Sequence, residues 1–191
     1  MTAPMVAEPN PRTPDAPMAF TSTELTGGVI AAGVSFTLAA PALVLLVAAI
    51  LDVRSFGFAL MIVIYGSLLV LIPATVVMCF AFAPIARLAG RALRRETRRW
   101  PHLLVYAALG AAASIVAGVA VGAIFGALSV DGARVLEGIA FVGPWGGMLA
   151  PVAAGSAAFG WFRAARRALA ADRRAAAAPE TETAPGTAAS H

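Results

Sequence analysis

Residues 103–130 read LLVYAALGAAASIVAGVAVGAIFGALSV, a stretch without a single charged side chain. About 20 apolar residues in a helix cross the hydrocarbon core of a bilayer, so this stretch is long enough to span a membrane. Within it, small residues recur at steps of four along one slowly turning helix face: Gly110, Ser114, Gly118, Gly122 and Gly126. Lipid gives helices no hydrophobic reason to associate, whereas small residues let two backbones approach closely. The stretch therefore predicts a spanning helix that packs tightly against another helix.

Three further stretches contain neither charged residues nor histidine, at 27–51, 57–83 and 138–162. Over the 191 residues, 60% are hydrophobic and 13% are charged, whereas soluble domains have about 25% charged residues. The predicted fold is an all-α integral membrane protein with a four-transmembrane-helix bundle and both termini in the cytoplasm. A basic amphipathic helix is expected directly after the second span.

The segments outside the spans differ from them in composition. We expect a disordered, proline-rich leader at 1–21, the membrane domain at 22–163, a basic helical extension at 164–178 and a disordered tail at 179–191. Thr21 and Glu24 stand three residues apart, which is the spacing of a capping box, so the first helix is predicted to begin at Ser22.

The arginines are sorted between the two ends of the predicted bundle. Twelve lie in the leader, the central loop and the C-terminal segment, and only Arg54 and Arg134 lie in the other two loops. The positive-inside rule places the arginine-rich side in the cytoplasm. The chain has no lysine and many alanines, a codon usage typical of GC-rich bacterial genomes, so the expected location is a bacterial cytoplasmic membrane.

The basic segment 84–100 alternates apolar residues with arginines at helical spacing. Such a helix is expected to rest on anionic lipid headgroups, with docking to an acidic partner as the alternative. The residues concerned are Arg87, Arg91, Arg94, Arg95, Arg98, Arg99 and Trp100. Since span flanks account for the basic charge, we expect no nucleic-acid binding.

A second row of small residues lies in the fourth span, at Gly146, Ala150 and Ala154. A short loop makes the third and fourth spans antiparallel neighbours, so the two rows are predicted to face each other within one chain. A homo-oligomer seam is the alternative, because the same steric rule supports it equally well.

Proline occurs inside three of the spans, and the fourth span has the densest cluster of proline and glycine. Each proline removes a helical hydrogen bond and can open a kink. We therefore predict irregular backbone there, at Gly143, Pro144, Trp145, Gly147 and Pro151. Such a break is expected to let helices pack around a bend, and a hinge or a cavity wall is the alternative.

The spans contain no ionisable side chain of the kind that proton-coupled transporters use. His102 is placed at the arginine-rich interface and His191 in the tail, and we expect no catalytic residue, cofactor or metal. A cation held by Asp52, Asp131 and Glu137, as in a membrane enzyme acting on lipids, is the weakest alternative.

The leading hypothesis is a non-enzymatic accessory, assembly or regulatory subunit that acts by helix packing, either self-associating or bound to another membrane protein. The alternative is a passive transporter or channel for a small or apolar solute.

Overall fold

The computed structural model describes residues 12–13, 18–51, 56–129 and 134–177. The elements are α1 (Ser22–Leu51), α2 (Phe56–Gly66), a π-helical turn (Ser67–Leu71), α3 (Ile72–Leu93), α4 (Arg99–Ala127) and α5 (Val135–Ala177). Because α2, the π turn and α3 form one continuous rod, the described residues contain four helices long and apolar enough to cross a membrane. The prediction of an all-helical chain with four long apolar helices is confirmed.

The first helix begins as the capping box predicts. The backbone N–H of Thr21 donates to Oε2 of Glu24 at 2.9 Å, and the backbone N–H of Glu24 donates to Oγ1 of Thr21 at 3.1 Å. Two amides at the helix start, which have no partner within the helix, are satisfied in this way, and α1 begins at Ser22.

The four rods are arranged as neighbours in a ring. α4 packs most extensively on α5, α5 packs on α1, α1 packs on the α2–α3 rod, and α3 returns to α4. The chain therefore places a helix on each of four sides of a central space, which is partly open along α2, since α2 packs on α1 and not comparably on α4 or α5.

The prediction of irregular backbone in the fourth span is wrong. α5 runs unbroken from Val135 to Ala177 through both Pro144 and Pro151. Proline costs a helix one hydrogen bond, but its fixed φ matches the helical value, so a helix packed along its length against α4 can continue.

The irregular backbone lies instead in the second rod, two residues before Pro73. The N–H of Ile72 donates to the carbonyl of Ser67, five residues earlier, which defines the π turn Ser67–Leu71. A wider turn separates the proline ring from the carbonyl of the preceding turn, with which it would clash in a regular α-helix.

The basic helix is shorter than the predicted segment 84–100. α3 ends at Leu93, and Arg98 has extended backbone (φ −74°, ψ 137°) as the N-cap of α4. In the interruption, Oε1 of Glu96 accepts the N–H of Arg98 at 3.1 Å, a local hydrogen bond of the kind that competes with helical hydrogen bonding. Trp100 and Pro101 consequently belong to the first turn of α4.

Part of the leader that was predicted to be disordered is packed against the bundle. The N–H of Met18 donates to the carbonyl of Arg94 at 3.3 Å, and Arg12 contacts both α1 and α5. The ion pairs and a buried Met18 provide the ordering contacts that composition alone does not reveal. The rest of the predicted leader, residues 1–11 and 14–17, and the predicted tail 179–191 lie outside the described residues. The predicted basic extension is helical as far as Ala177.

Candidate binding cavity

The small residues of α4 lie directly against the backbone of α5. A Cβ added to Gly118 would lie 2.8 Å from Cα of Gly146, and one added to Gly122 would lie 2.7 Å from the carbonyl oxygen of Gly138. One turn before Gly118, Oγ of Ser114 donates to the carbonyl of Gly146 at 2.8 Å. A larger side chain in this row would force the helices apart, so glycine here sets the interhelical distance.

The two ends of the row are equally tight. A Cβ added to Gly110 would collide with the carbonyl of Ala153 and Cβ of Ala157. One added to Gly126 would collide with the backbone of Arg134. Ala150 and Ala154, which the sequence places in the facing row, are half-buried. Residues four apart drift by about 40° around a helix, so a long interface must pass from one row of residues to the next.

A second close contact, which was not predicted from the sequence, joins α5 to α1. A Cβ added to Gly160 would collide with the carbonyl oxygen of Gly28 and would lie 2.7 Å from Cβ of Ala32. The sequence contains the glycines of this contact, in Gly27-Gly28 and at Gly160. They do not recur at regular spacing, so they do not stand out as a packing row.

A cavity of about 510 Å³ occupies the centre of the ring. Its wall is almost entirely apolar and comes from every helix, including Val29, Phe36, Val70, Phe82, Leu109 and Leu149. Along α4 it extends from Tyr106 to Val121, a rise of about 22 Å. The cavity thus follows most of the length of the bundle.

An aromatic cluster lies at one end of the cavity, the end that carries most arginines and is called the arginine-rich end below. Trp161 is its centre and is only 4% exposed. Its ring stacks on His102 (centroids 5.0 Å apart) and on Tyr106 (6.2 Å), and Phe20 meets it edge-on at 6.4 Å. Tyr106 also donates to the carbonyl of Ala86 at 3.1 Å, which ties α4 to α3.

His102 lies in the first turn of α4, at the arginine-rich end, and is buried there. It is 1% exposed, and its Nε2 lies 3.1 Å from the carbonyl oxygen of Glu96. A carbonyl only accepts, so Nε2 carries the hydrogen. Nδ1 of His102 and Nε1 of Trp161 have no hydrogen-bond partner among the described residues.

Arg12 closes the outer side of this end. Its guanidinium donates to both carboxylate oxygens of Asp172 on α5, at 2.8 and 3.0 Å, and to Glu24 on α1. It also lies 6.0 Å from the ring centre of Phe20, so the leader, α1 and α5 meet at one cation.

The residues predicted to contact lipid or a partner are on the surface. Those in the α3 end, the connecting turn and the start of α4 are exposed, and Trp100 is 73% exposed. Of the predicted hinge residues, only Trp145 lines the cavity. Pro144, Gly147 and Pro151 face outward, and the carbonyl of Gly143 faces Gly118.

The acidic residues considered for a cation site are not brought together within the described part of the chain. Glu137 pairs at 3.7 Å with Arg134, and both side chains are exposed. Asp52 and Asp131 lie outside the described residues. Within 12–13, 18–51, 56–129 and 134–177, no group of three histidine, cysteine or acidic residues is placed to hold a metal ion.

No protein-family model, curated protein or solved structure matches this chain.

Proposed function

We propose that this chain is an integral protein of a bacterial cytoplasmic membrane, with its arginine-rich end in the cytoplasm, and that it acts without catalysis as an accessory, assembly or regulatory subunit. Four long apolar helices support multi-pass insertion. The distribution of arginine supports the orientation, because twelve of them flank one end of the spans.

The observation that supports the accessory role is that the small residues are used for close packing between helices. They hold α4, α5 and α1 together by backbone contact, as at Gly118 and Gly160. The most regular pattern in the sequence is thus used to build a rigid frame. Because these contacts lie within one chain, a homo-oligomer would use a surface other than the α4 row.

A reporter fused after His191 tests the orientation. A cytoplasmic reporter is expected to be active there, and a reporter that needs the periplasm is expected to be inactive. Activity of the periplasmic reporter would overturn the proposed topology.

Reconstitution tests the accessory role. Purified protein in liposomes is expected to leave the leakage of ions and small neutral solutes at the level of protein-free liposomes. Solute movement by the chain alone would overturn this role.

Passive passage of a small apolar solute is the second candidate, because a cavity of about 510 Å³ extends along the bundle. Its arginine-rich end is closed by Trp161 and its aromatic neighbours. This candidate requires flux that Trp161→Ala accelerates; flux below detection in both the parent protein and this variant would contradict it.

A further inference from the structure

We propose that the end of α5, beyond its apolar stretch, is a docking surface for an acidic helical segment of a cytoplasmic protein. This inference rests on the accessory role proposed above and states the chemistry of the partner. The surface consists of exposed arginines that share one side of the helix and is called the arginine face below: Arg163, Arg166, Arg167, Arg173 and Arg174.

The arginine face points away from the bundle. At 3.6 residues per turn, its members fall within an arc of about 120° around α5. The opposite side of the helix packs on the rest of the chain, since Ala165 and Ala168 are buried and Asp172 accepts two hydrogen bonds from Arg12. The end of α5 is therefore held against the described part of the leader, and its arginines are directed outward.

The carboxylates of the chain leave the charge of the arginine face uncompensated. Among the residues that the structure describes, none of its arginines forms an ion pair. Glu24 and Asp172, which lie at the same end, both pair with Arg12. Arg166 lies over the ring of Phe162, a contact that does not neutralise its charge. Because arginine forms strong charge-assisted hydrogen bonds with carboxylates, the face fits an acidic partner.

The register between α4 and α5 shows how far this part of α5 projects. Gly110 lies against Ala153 and Ala157, and Arg99, the first residue of α4, is about 16 Å along the axis from Gly110. The same distance along α5 reaches about the level of Arg166. α5 then continues for about 16 Å beyond the start of α4 before it ends.

This projection favours a protein partner over the lipid surface. Trp100, in the first turn of α4, is exposed, and exposed tryptophan marks the interface between membrane and water. Arg173 and Arg174 lie about 11 Å beyond the level of Arg166. The field of anionic headgroups falls off within a Debye length, which is about 8 Å at physiological salt. The outer arginines are therefore placed to meet a soluble protein.

The spacing of the arginines fits a helical partner. The pairs Arg166–Arg167 and Arg173–Arg174 are two helical turns apart, about 10 Å along the axis. Ala170 lies between them and is half-buried, and its carbonyl accepts a hydrogen bond from Nε of Arg174 at 3.3 Å. Its small side chain leaves room for a second helix at the usual axial separation of about 8–10 Å. Glutamates two turns apart on that helix would each meet one arginine pair.

The test is fluorescence anisotropy of a labelled acidic peptide titrated with full-length protein in phosphatidylcholine nanodiscs. The peptide is an alanine-based helix with glutamate at positions i, i+3, i+7 and i+10, and a peptide with lysine at these positions is the charge control. The acidic peptide is expected to bind, with an affinity that falls as salt is added, and the lysine peptide is not. Equal binding of the two peptides, or no binding of the acidic peptide at low salt, would overturn the proposal.

Paired substitutions test the place of binding. Arg173→Gln with Arg174→Gln is expected to weaken binding of the acidic peptide about tenfold, the effect of losing two exposed ion pairs. The matched control, Arg94→Gln with Arg95→Gln, removes the same charge from the exposed turn between α3 and α4 and should leave the affinity nearly unchanged. All four arginines are exposed, so both variants are expected to fold. Equal weakening by the two pairs would show a response to total charge alone, which overturns the site.

A dye beside the arginine face separates a protein partner from lipid. Ala171 is exposed at the edge of the face, so an environment-sensitive dye on Ala171→Cys, with Cys79→Ala to remove the native thiol, reports what covers it. Its emission is expected to shift to the blue when the acidic peptide is added and to stay unchanged when phosphatidylglycerol replaces phosphatidylcholine. A blue shift caused by phosphatidylglycerol alone would assign the face to lipid headgroups and overturn the proposal.

These outcomes can be told apart from those that test the proposed function. Nanodiscs expose both ends of the bundle to the peptide, so binding does not depend on orientation in a cell. Solute flux in liposomes would overturn the accessory role and leave the measured peptide affinity unaffected. Absence of peptide binding to a protein that also leaves liposomes sealed would overturn the docking surface alone.

Discussion

Ser114 on α4 donates a hydrogen bond of 2.8 Å to the carbonyl of Gly146 on α5, at the level where a Cβ on Gly118 would meet the same glycine. The polar contact and the steric contact therefore fix the same register. A hydroxyl can reach that carbonyl only because neither glycine holds the backbones apart.

Gly118→Ala is expected to destabilise the bundle by about 1–3 kcal/mol, because its Cβ overpacks a backbone contact. Unfolding in mixed micelles with increasing denaturing detergent measures the change. The matched control is Gly147→Ala, where an added Cβ meets nothing within 4 Å and where alanine favours the helix by up to about 1 kcal/mol. Equal stability of the two variants would contradict close packing at Gly118.

Ser114→Ala is expected to cost about 1 kcal/mol, since it leaves the Gly146 carbonyl without its side-chain donor. The same unfolding assay applies. Combination with Gly118→Ala should be non-additive, because both changes act on one contact. Strict additivity would indicate that the two residues stabilise the hairpin independently.

Arg12→Gln is expected to loosen the arginine-rich end, because one guanidinium joins Glu24 to Asp172. Hydrogen bonds to charged groups contribute about 1.5–3 kcal/mol each, and screening reduces this at partly exposed sites. Faster amide hydrogen exchange is expected at 22–30 and 168–174, with α4 unchanged. The exposed control Arg173→Gln should exchange like the parent protein, and unchanged exchange in Arg12→Gln would count against the clamp.

The single cysteine reports on the space between α1 and α3. Cys79 is half-buried and lines the cavity, and a Cβ on Gly33 would lie 3.2 Å from its Sγ. We expect an uncharged maleimide to label Cys79 in membranes and Gly33→Ala to slow the labelling severalfold. Gly27→Ala, where the added Cβ meets nothing within 4 Å, is the control; an equal rate in both variants would place Sγ away from Gly33.

The four helices could be predicted from the sequence because their charge-free runs are long and their flanks are charged. The start of α1 could also be predicted, since Thr21 and Glu24 form a purely local motif. Local patterns of this kind need no knowledge of distant parts of the chain.

The register of α5 could not be predicted, because small residues occur on nearly all of its faces. Gly110 contacts Ala153 and Ala157. By sequence spacing alone, Ala150 and Ala154 would serve equally well as its partners, because they continue the four-residue row from Gly146. The buried pair of His102 and Trp161 could not be predicted either, because its members are far apart in sequence and meet only when α4 and α5 pack. Proline likewise marks where a helix can deviate, and tertiary support decides whether it does.

The π turn has a consequence for the phase of the second rod. Residues of the second rod line the cavity at regular steps of four: Ile62, Gly66, Val70, Ala74, Met78 and Phe82. In an uninterrupted α-helix such a series would rotate steadily away from the centre, by about 40° at each step. One extra residue in the turn Ser67–Leu71 resets this rotation by about 100°. The irregular turn thus acts as a phase correction that cancels about half of the drift of about 200° between Ile62 and Phe82, and this keeps the row turned toward the cavity on both sides of the turn.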